Sequence, residues 1–275
     1  HPFLKETQQV YQCVDAAVAA LQPIAVPSRG IAKTIAEKLP ILQQATYQKR
    51  MVRAVYLSQE EVFARIAESD VPPLMQESAR AYLAVLKKLR KADKEALIAA
   101  VLTQNKDVFA ALCTQYELNE GFIRSTIWRM IAALTPPQIK EPEAWAPDPD
   151  QPKFRENYCP VCGRRPVIAE LKKFREGRVR HLICGGCGTR WTYARVSCVY
   201  CGNTNLEKMH TLEPEHDDTM RLDICDVCDC YIKTYRGADD GSAEDVIYRQ
   251  DWASVHLDLL AEEKGLHKKG SPILE

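Results

Sequence analysis

The chain has 275 residues, 46% of them hydrophobic and 27% charged, and its 37 Lys and Arg balance 37 Asp and Glu. This is the profile of a soluble globular protein of one large or two ordinary domains. It excludes a membrane-spanning helix of ~20 apolar residues, since the best run, Ala16 to Val26, is short and is broken by Gln22 and Pro23. No basic, apolar, small-residue leader opens the chain. His1 is not the expected native start, so residues before it are taken to be missing.

The first part of the chain has helical periodicity. Tyr82, Val85, Leu86 and Leu89 recur on one face, and Ile123, Ile127, Ile131 and Leu134 on another. Asp93 is placed to cap a helix carrying Leu97, Ile98, Val101 and Leu102. Pro40 and Pro72-Pro73 interrupt the pattern, because proline lacks the N–H and clashes with the preceding turn. Six to eight helices are predicted. From Thr135 to Pro152 six prolines crowd an aperiodic stretch, read as a linker in which Trp145 docks on a neighbouring surface.

Beyond the linker the period becomes that of strands. Pro166–Phe174 and Arg178–Cys184 flank a turn at Glu176-Gly177, with Arg190–Val196 as a third strand. Leu206–Leu212, Thr219–Cys225 and Tyr231–Tyr235 repeat the plan, an internal duplication of architecture. Ser242 to Lys264 returns to a helical pattern.

Eight of the 11 cysteines form four C-x-x-C pairs: Cys159/Cys162, Cys184/Cys187, Cys198/Cys201 and Cys225/Cys228. Such pairs are read as metal ligands before disulfides. The two outer gaps are 21 and 23 residues and the central one is 10. Knuckles about twenty residues apart, joined by a hairpin, are the arrangement of a zinc ribbon or a rubredoxin. Two cysteines three apart turn both sulfurs toward one ion, and the hairpin brings round the second pair.

Gly163, Gly188 and Gly202 follow three of the knuckles, where a positive φ lets backbone N–H groups face sulfur; Asp229 stands there in the fourth. Sequential pairing fits the short central gap and the duplication, while an interleaved pairing stays open. Iron and zinc both accept four thiolates. Four thiolates leave no position for a catalytic water, and no motif of a common enzyme class is present. Cys230 is read as a satellite residue, and Cys13 and Cys113 as helical fillers. His181, His210 and His216 are read as strand or turn residues.

Charge divides the cysteine region. From Lys153 to Arg195 there are 11 Lys or Arg against 3 acids, and from Val196 to Arg236 there are 4 against 8. A basic first module could meet nucleic acid or an anionic protein surface.

The residues Tyr158-Cys-Pro-Val-Cys-Gly163, Arg180-His-Leu-Ile-Cys184, Cys187-Gly-Thr-Arg-Trp191 and Arg195-Val-Ser-Cys198 resemble the formate dehydrogenase accessory (formation) proteins of the FdhE family. Cys225-Asp-Val-Cys-Asp229, Tyr231-Ile-Lys233 and the closing stretch from Asp251 to Gly265 extend the likeness, which covers roughly residues 155–268. The helical half shows no matching motif.

The resemblance implies a cytoplasmic, non-enzymatic assembly factor or chaperone. Such a protein binds the formate dehydrogenase catalytic subunit before that subunit is exported by the twin-arginine route. The resemblance also implies iron at two four-cysteine sites, zinc being the alternative, on Cys159, Cys162, Cys184, Cys187, Cys198, Cys201, Cys225 and Cys228. An accessory redox role is compatible with it.

The expected fold is multidomain α and β. A helical domain spans 1–135 and a proline-rich linker 136–152. Rubredoxin-like modules follow at 153–196 and 197–238, and a C-terminal helix and tail at 239–275. The competing reading is a nucleic-acid-binding zinc-ribbon protein, disfavoured by balanced charge, few interleaved aromatics and an acidic second module. A stand-alone electron carrier would not need the helices.

Overall fold

The computed structural model describes residues 2–148, 150, 152–214, 219–236 and 246–270. They group into two units. Among the described residues, one comprises the chain up to Pro27 and Ile41–Pro137, and the other Ser28–Pro40 and the chain from Gln138.

The first unit holds α1 (Pro2–Val18), α3 (Ala45–Glu68), α4 (Pro73–Lys88), α5 (Lys91–Leu102), α6 (Lys106–Gln115) and α7 (Glu120–Leu134). The remaining helix before Pro137, α2 (Ser28–Glu37), belongs to the second unit. The 24-residue α3 is the spine. Its Met51, Val55, Val62, Phe63 and Ile66 recur at helical spacing and are buried against α1, α4, α5 and α7. The Phe63 ring lies 4.4 Å from that of Tyr82 and meets Phe122 edge-on at 6.1 Å. The Tyr82 hydroxyl donates to Gln59 Oε1 at 2.9 Å, and burial holds its pKa well above the usual phenol range.

Helix ends follow their side chains. Pro73 opens α4, where a missing N–H costs nothing. Asn105 and Asn119 cap α6 and α7 by accepting from Val108 N and Phe122 N. Asp93 does not cap α5. That helix begins two residues earlier, and Asp93 sits in its first turn, ion-paired with Arg90 at 2.9 Å. An acid there still favours the helix N-terminus. The α5 end closes with Gln104 at φ 58° and Asn105 N donating to Ala100 O.

The second unit is built on one sheet of six strands: β1 (Pro166–Phe174), β2 (Gly177–Cys184), β3 (Arg190–Tyr193), β4 (Met209–Leu212), β5 (Met220–Cys225) and β6 (Cys230–Tyr235). Their order is β3-β2-β1-β6-β5-β4. Each cysteine module supplies an antiparallel three-stranded meander, and the two are joined by parallel pairing of β1 with β6.

Three local readings shift. The first hairpin turns at Arg175-Glu176, with Arg175 at φ 51°, so Gly177 already pairs with Phe174. The third strand stops at Tyr193, short of Val196. Leu206–Lys208 is a 3-10 turn rather than strand, because the Asn205 side chain accepts from Glu207 N and caps it.

Alternation sorts the sheet faces. Ile168, Ile183, Leu222, Ile224, Tyr231 and Tyr235 form a core closed by Val246, Ile247, Leu257 and Ala261 from the C-terminal segment. That segment is a π-turn (Ile247–Asp251) followed by α8 (Val255–Glu263) rather than one helix from Ser242; residues 242–245 lie outside those described. Lys233, fully buried on β6, pairs with Asp251 at 2.7 Å and Asp258 at 2.6 Å. Tyr231 also donates to Asp258, at 2.7 Å. From Gln138 the described part of the proline-rich stretch belongs to this unit, and the stretch forms 3-10 turns at Pro137–Ile139 and Pro142–Ala144. Trp145 is fully buried and donates from Nε1 to Ile139 O at 3.0 Å.

Candidate metal centres

Each knuckle is a tight loop made by its own backbone. In the first, Cys159 N donates to Arg164 O (2.8 Å) and Gly163 N to Cys159 O (2.9 Å). The second repeats this with Cys184 N to Thr189 O and Gly188 N to Cys184 O. The third uses Cys198 N to Asn203 O and Gly202 N to Cys198 O. Closing such a loop requires a left-handed residue just after the second cysteine. Gly163, Gly188 and Gly202 have φ of 84°, 73° and 75°, and Asp229 takes the same role at 51°.

The hairpins bring the knuckles together in sequence. Cys159, Cys162, Cys184 and Cys187 form one group and Cys198, Cys201, Cys225 and Cys228 the other, the sulfurs of each within 4.8 Å of one another. The interleaved pairing is thereby excluded. In the first group Cys159–Cys187 and Cys162–Cys184 are 3.5 and 3.4 Å apart; in the second Cys198–Cys228 and Cys201–Cys225 are both 3.7 Å apart. A tetrahedral ion with metal–sulfur bonds of about 2.3 Å needs edges of about 3.8 Å. Four soft donors at this spacing therefore suit a thiophilic ion.

Backbone N–H groups already face the sulfurs: Cys162 N and Gly186 N in the first site, Tyr200 N in the second. Burial pushes the Cys159 and Cys162 thiols well above the ordinary range. Burial also opposes ionisation of Cys187, but hydrogen bonds from its three partner cysteines and Thr189 outweigh it and hold that thiol low. Ionising all four of these buried thiols would call for a cation.

The sites differ in access. All four cysteines of the first are buried, whereas in the second Cys201 is exposed and Cys228 half-buried.

Two neighbours escape a reading based on C-x-x-C alone. Thr189 Oγ1 lies 3.1 Å from Cys187 Sγ, and Asn203 Nδ2 lies 3.6 Å from Cys225 Sγ. Both stand two positions past a knuckle's second cysteine, as Arg164 does, and Cys230 holds that position in the fourth. Cys230 is therefore a loop-closing residue; it is buried, pairs with Cys225 in the ladder, and turns its thiol to Cys228 O at 3.1 Å.

The remaining candidates lie elsewhere. His181 faces Glu170 at 3.8 Å and His210 faces Asp226 at 3.2 Å, while His216 lies outside the described residues. Cys113 is buried in α6, and burial and Glu120, opposed by Arg124, push its thiol up to about 11. Cys13 is half-buried in α1. No described helix is long and apolar enough to cross a membrane.

The FdhE central-domain profile matches residues 158–195 and the FdhE C-terminal-domain profile residues 196–274. The cysteine-bearing region is thus similar to two successive domains of FdhE proteins. It is 36% identical over 117 residues to the FdhE homolog of Aquifex aeolicus, covering 42% of this chain and 41% of that protein. It is 26% identical over 209 residues to protein FdhE of Salmonella typhimurium, covering 76% of this chain and 64% of that one. The chain thus spans less than two thirds of either relative. The crystal structure of the FdhE protein from Pseudomonas aeruginosa superposes with a TM-score of 0.61 and 18% identity over 96% of this chain and 86% of that one. The likeness of fold therefore extends to the helical half, where no motif is legible.

Proposed function

We propose that this chain, similar to FdhE proteins over its cysteine-bearing region, is an accessory protein of that family for the formation of respiratory formate dehydrogenase. It binds the catalytic subunit in the cytoplasm before twin-arginine export and catalyses no reaction of its own. The carrying observation is the pair of complete four-cysteine sites within a matched FdhE region. Cys159, Cys162, Cys184 and Cys187 hold one ion, and Cys198, Cys201, Cys225 and Cys228 the other. With four protein ligands each, neither ion has an open position for substrate, which supports a binding and structural role over hydrolysis. Iron is the proposed ion and zinc its rival.

The nucleic-acid reading is weakened by burial. Of the eleven basic residues in the first module, Arg164, Arg180 and Arg190 are at most 5% exposed, so the basic face is smaller than the sequence suggests.

The test is affinity purification of the tagged protein from its own host, grown to express formate dehydrogenase, with metal analysis of the product. The reading expects the catalytic subunit in the wild-type eluate and its loss when Cys159/Cys162 or Cys198/Cys201 are changed to Ser. Recovery of nucleic acid with no formate dehydrogenase would overturn it. Zinc alone after iron-replete growth would remove iron and any redox role.

A further inference from the structure

The second unit contains a cavity of about 420 Å³, lined by none of the eight paired cysteines, where β1, β2 and β3 meet the segment leading to the first knuckle. Its walls carry four arginines, Arg155, Arg178, Arg180 and Arg195. Three of these charges, those of Arg155, Arg178 and Arg195, face no carboxylate among the described residues. Arg155 Nε donates to Pro152 O, and Arg178 Nη1 to Leu171 O and Arg236 O, all neutral carbonyls. Arg195 has no partner among the described residues. The single acid of the lining, Asp150, is 2.6 Å from Arg175.

Arg180 is the deepest of the four, at 2% exposed. Its Nη1 donates to Ser197 O and its Nη2 to Asp223, while Nε is buried with no hydrogen-bond partner. A buried donor left without an acceptor is destabilising, and like charges gathered around a cavity repel. A bound anion relieves the repulsion.

We propose that this cavity binds a phosphate-bearing small molecule of about mononucleotide size. Guanidinium forks recognise phosphate in bidentate fashion, and several of them match a group with more than one negative charge better than a single carboxylate. The volume lies in the range of small-molecule sites. Phe174 and Tyr193 line the same cavity and offer aromatic surface to a ring. A nucleic-acid strand would need a track of phosphate contacts, and the acidic second module does not continue one. Binding here is independent of the formate dehydrogenase role.

The test uses the full-length, metal-loaded protein in titration calorimetry with ADP, with inorganic pyrophosphate and with hexaglutamate. The expected result is saturable binding of ADP at one site, with pyrophosphate competing. Affinity should fall at least about tenfold in Arg155→Ala/Arg195→Ala. Both side chains are exposed, so the unfolding midpoint and metal content should match wild type. Arg195→Glu should weaken binding further. Absence of saturable ADP and pyrophosphate binding, or binding retained in the double variant, overturns the proposal. Binding of hexaglutamate in place of the phosphates does so too, and assigns the cavity to an acidic peptide.

Discussion

The guanidinium of Arg180, on β2, reaches the carboxylate of Asp223, on β5, at 3.2 Å, so an ion pair spans the seam between the two cysteine modules. Thr234 on β6 donates to the same carboxylate at 2.7 Å. Removing one partner of a buried pair leaves an uncompensated charge, at ~3–5 kcal/mol. Asp223→Asn is therefore expected to lower the thermal midpoint strongly. Asp223→Leu combined with Arg180→Met should recover much of that loss. Calorimetry of the two variants checks this; equal destabilisation of the single and double changes would contradict it.

The unequal burial of the two sites predicts unequal metal loss. A chromogenic chelator should withdraw the ion held by Cys201 and Cys228 first, giving two phases of equal amplitude. Cys201→Ser should abolish the fast phase and leave the slow one. A single phase in wild type would show that the exposure of Cys201 does not control release.

Gly202 and Asp229 occupy the same left-handed position in successive knuckles. A Cβ on Gly202 would meet nothing within 4 Å, so Gly202→Ala is a test of backbone strain alone. It should cost ~1–2 kcal/mol in a denaturant titration of the metal-loaded protein. Asp229→Gly should be neutral or mildly stabilising. A neutral Gly202→Ala would mean that metal ligation, not backbone preference, sets the loop.

Lys233 holds the C-terminal segment through Asp251 and Asp258. Lys233→Met should free α8 from the sheet, exposing Leu257 and Ala261. Hydrogen exchange should then accelerate in Val255–Glu263 while the amides of the first knuckle stay protected. Unchanged protection of α8 would assign its attachment to apolar packing alone.

What is legible in the sequence is what short spacing encodes. The four knuckles, their left-handed residues and the hairpin between each pair follow from local chemistry, and so do helices with strong periodicity such as α4 and α7. The union of β1 with β6 is not local. It pairs Ile168 with Lys233, 65 positions apart, and no turn or motif announces it. The burial of Arg164, Arg180 and Arg190 escapes for the same reason: a charge count records composition, while the strand neighbours that cover a side chain come from topology. The start of α5 lies two residues before Asp93 because a helix can begin without a side-chain cap when tertiary packing holds it. Cys230 reads as a satellite residue when only the cysteine pairs are weighed, and its place becomes clear from the residue that closes each loop.

Parallel pairing of β1 with β6 sets the two modules side by side in the same direction, so one maps onto the other by a step of three strands, roughly 14 Å. An object repeated by a step, unlike one repeated by a two-fold turn, has two different ends and no built-in reason to stop. A second molecule could in principle continue the series. At one end Arg190 N is already spent on Lys140 O, which occupies the outer edge of β3. At the other, β4 is four residues long and turns His210 and Thr211 to water. A blocked end and a short, polar one are how a two-copy ladder avoids becoming a filament.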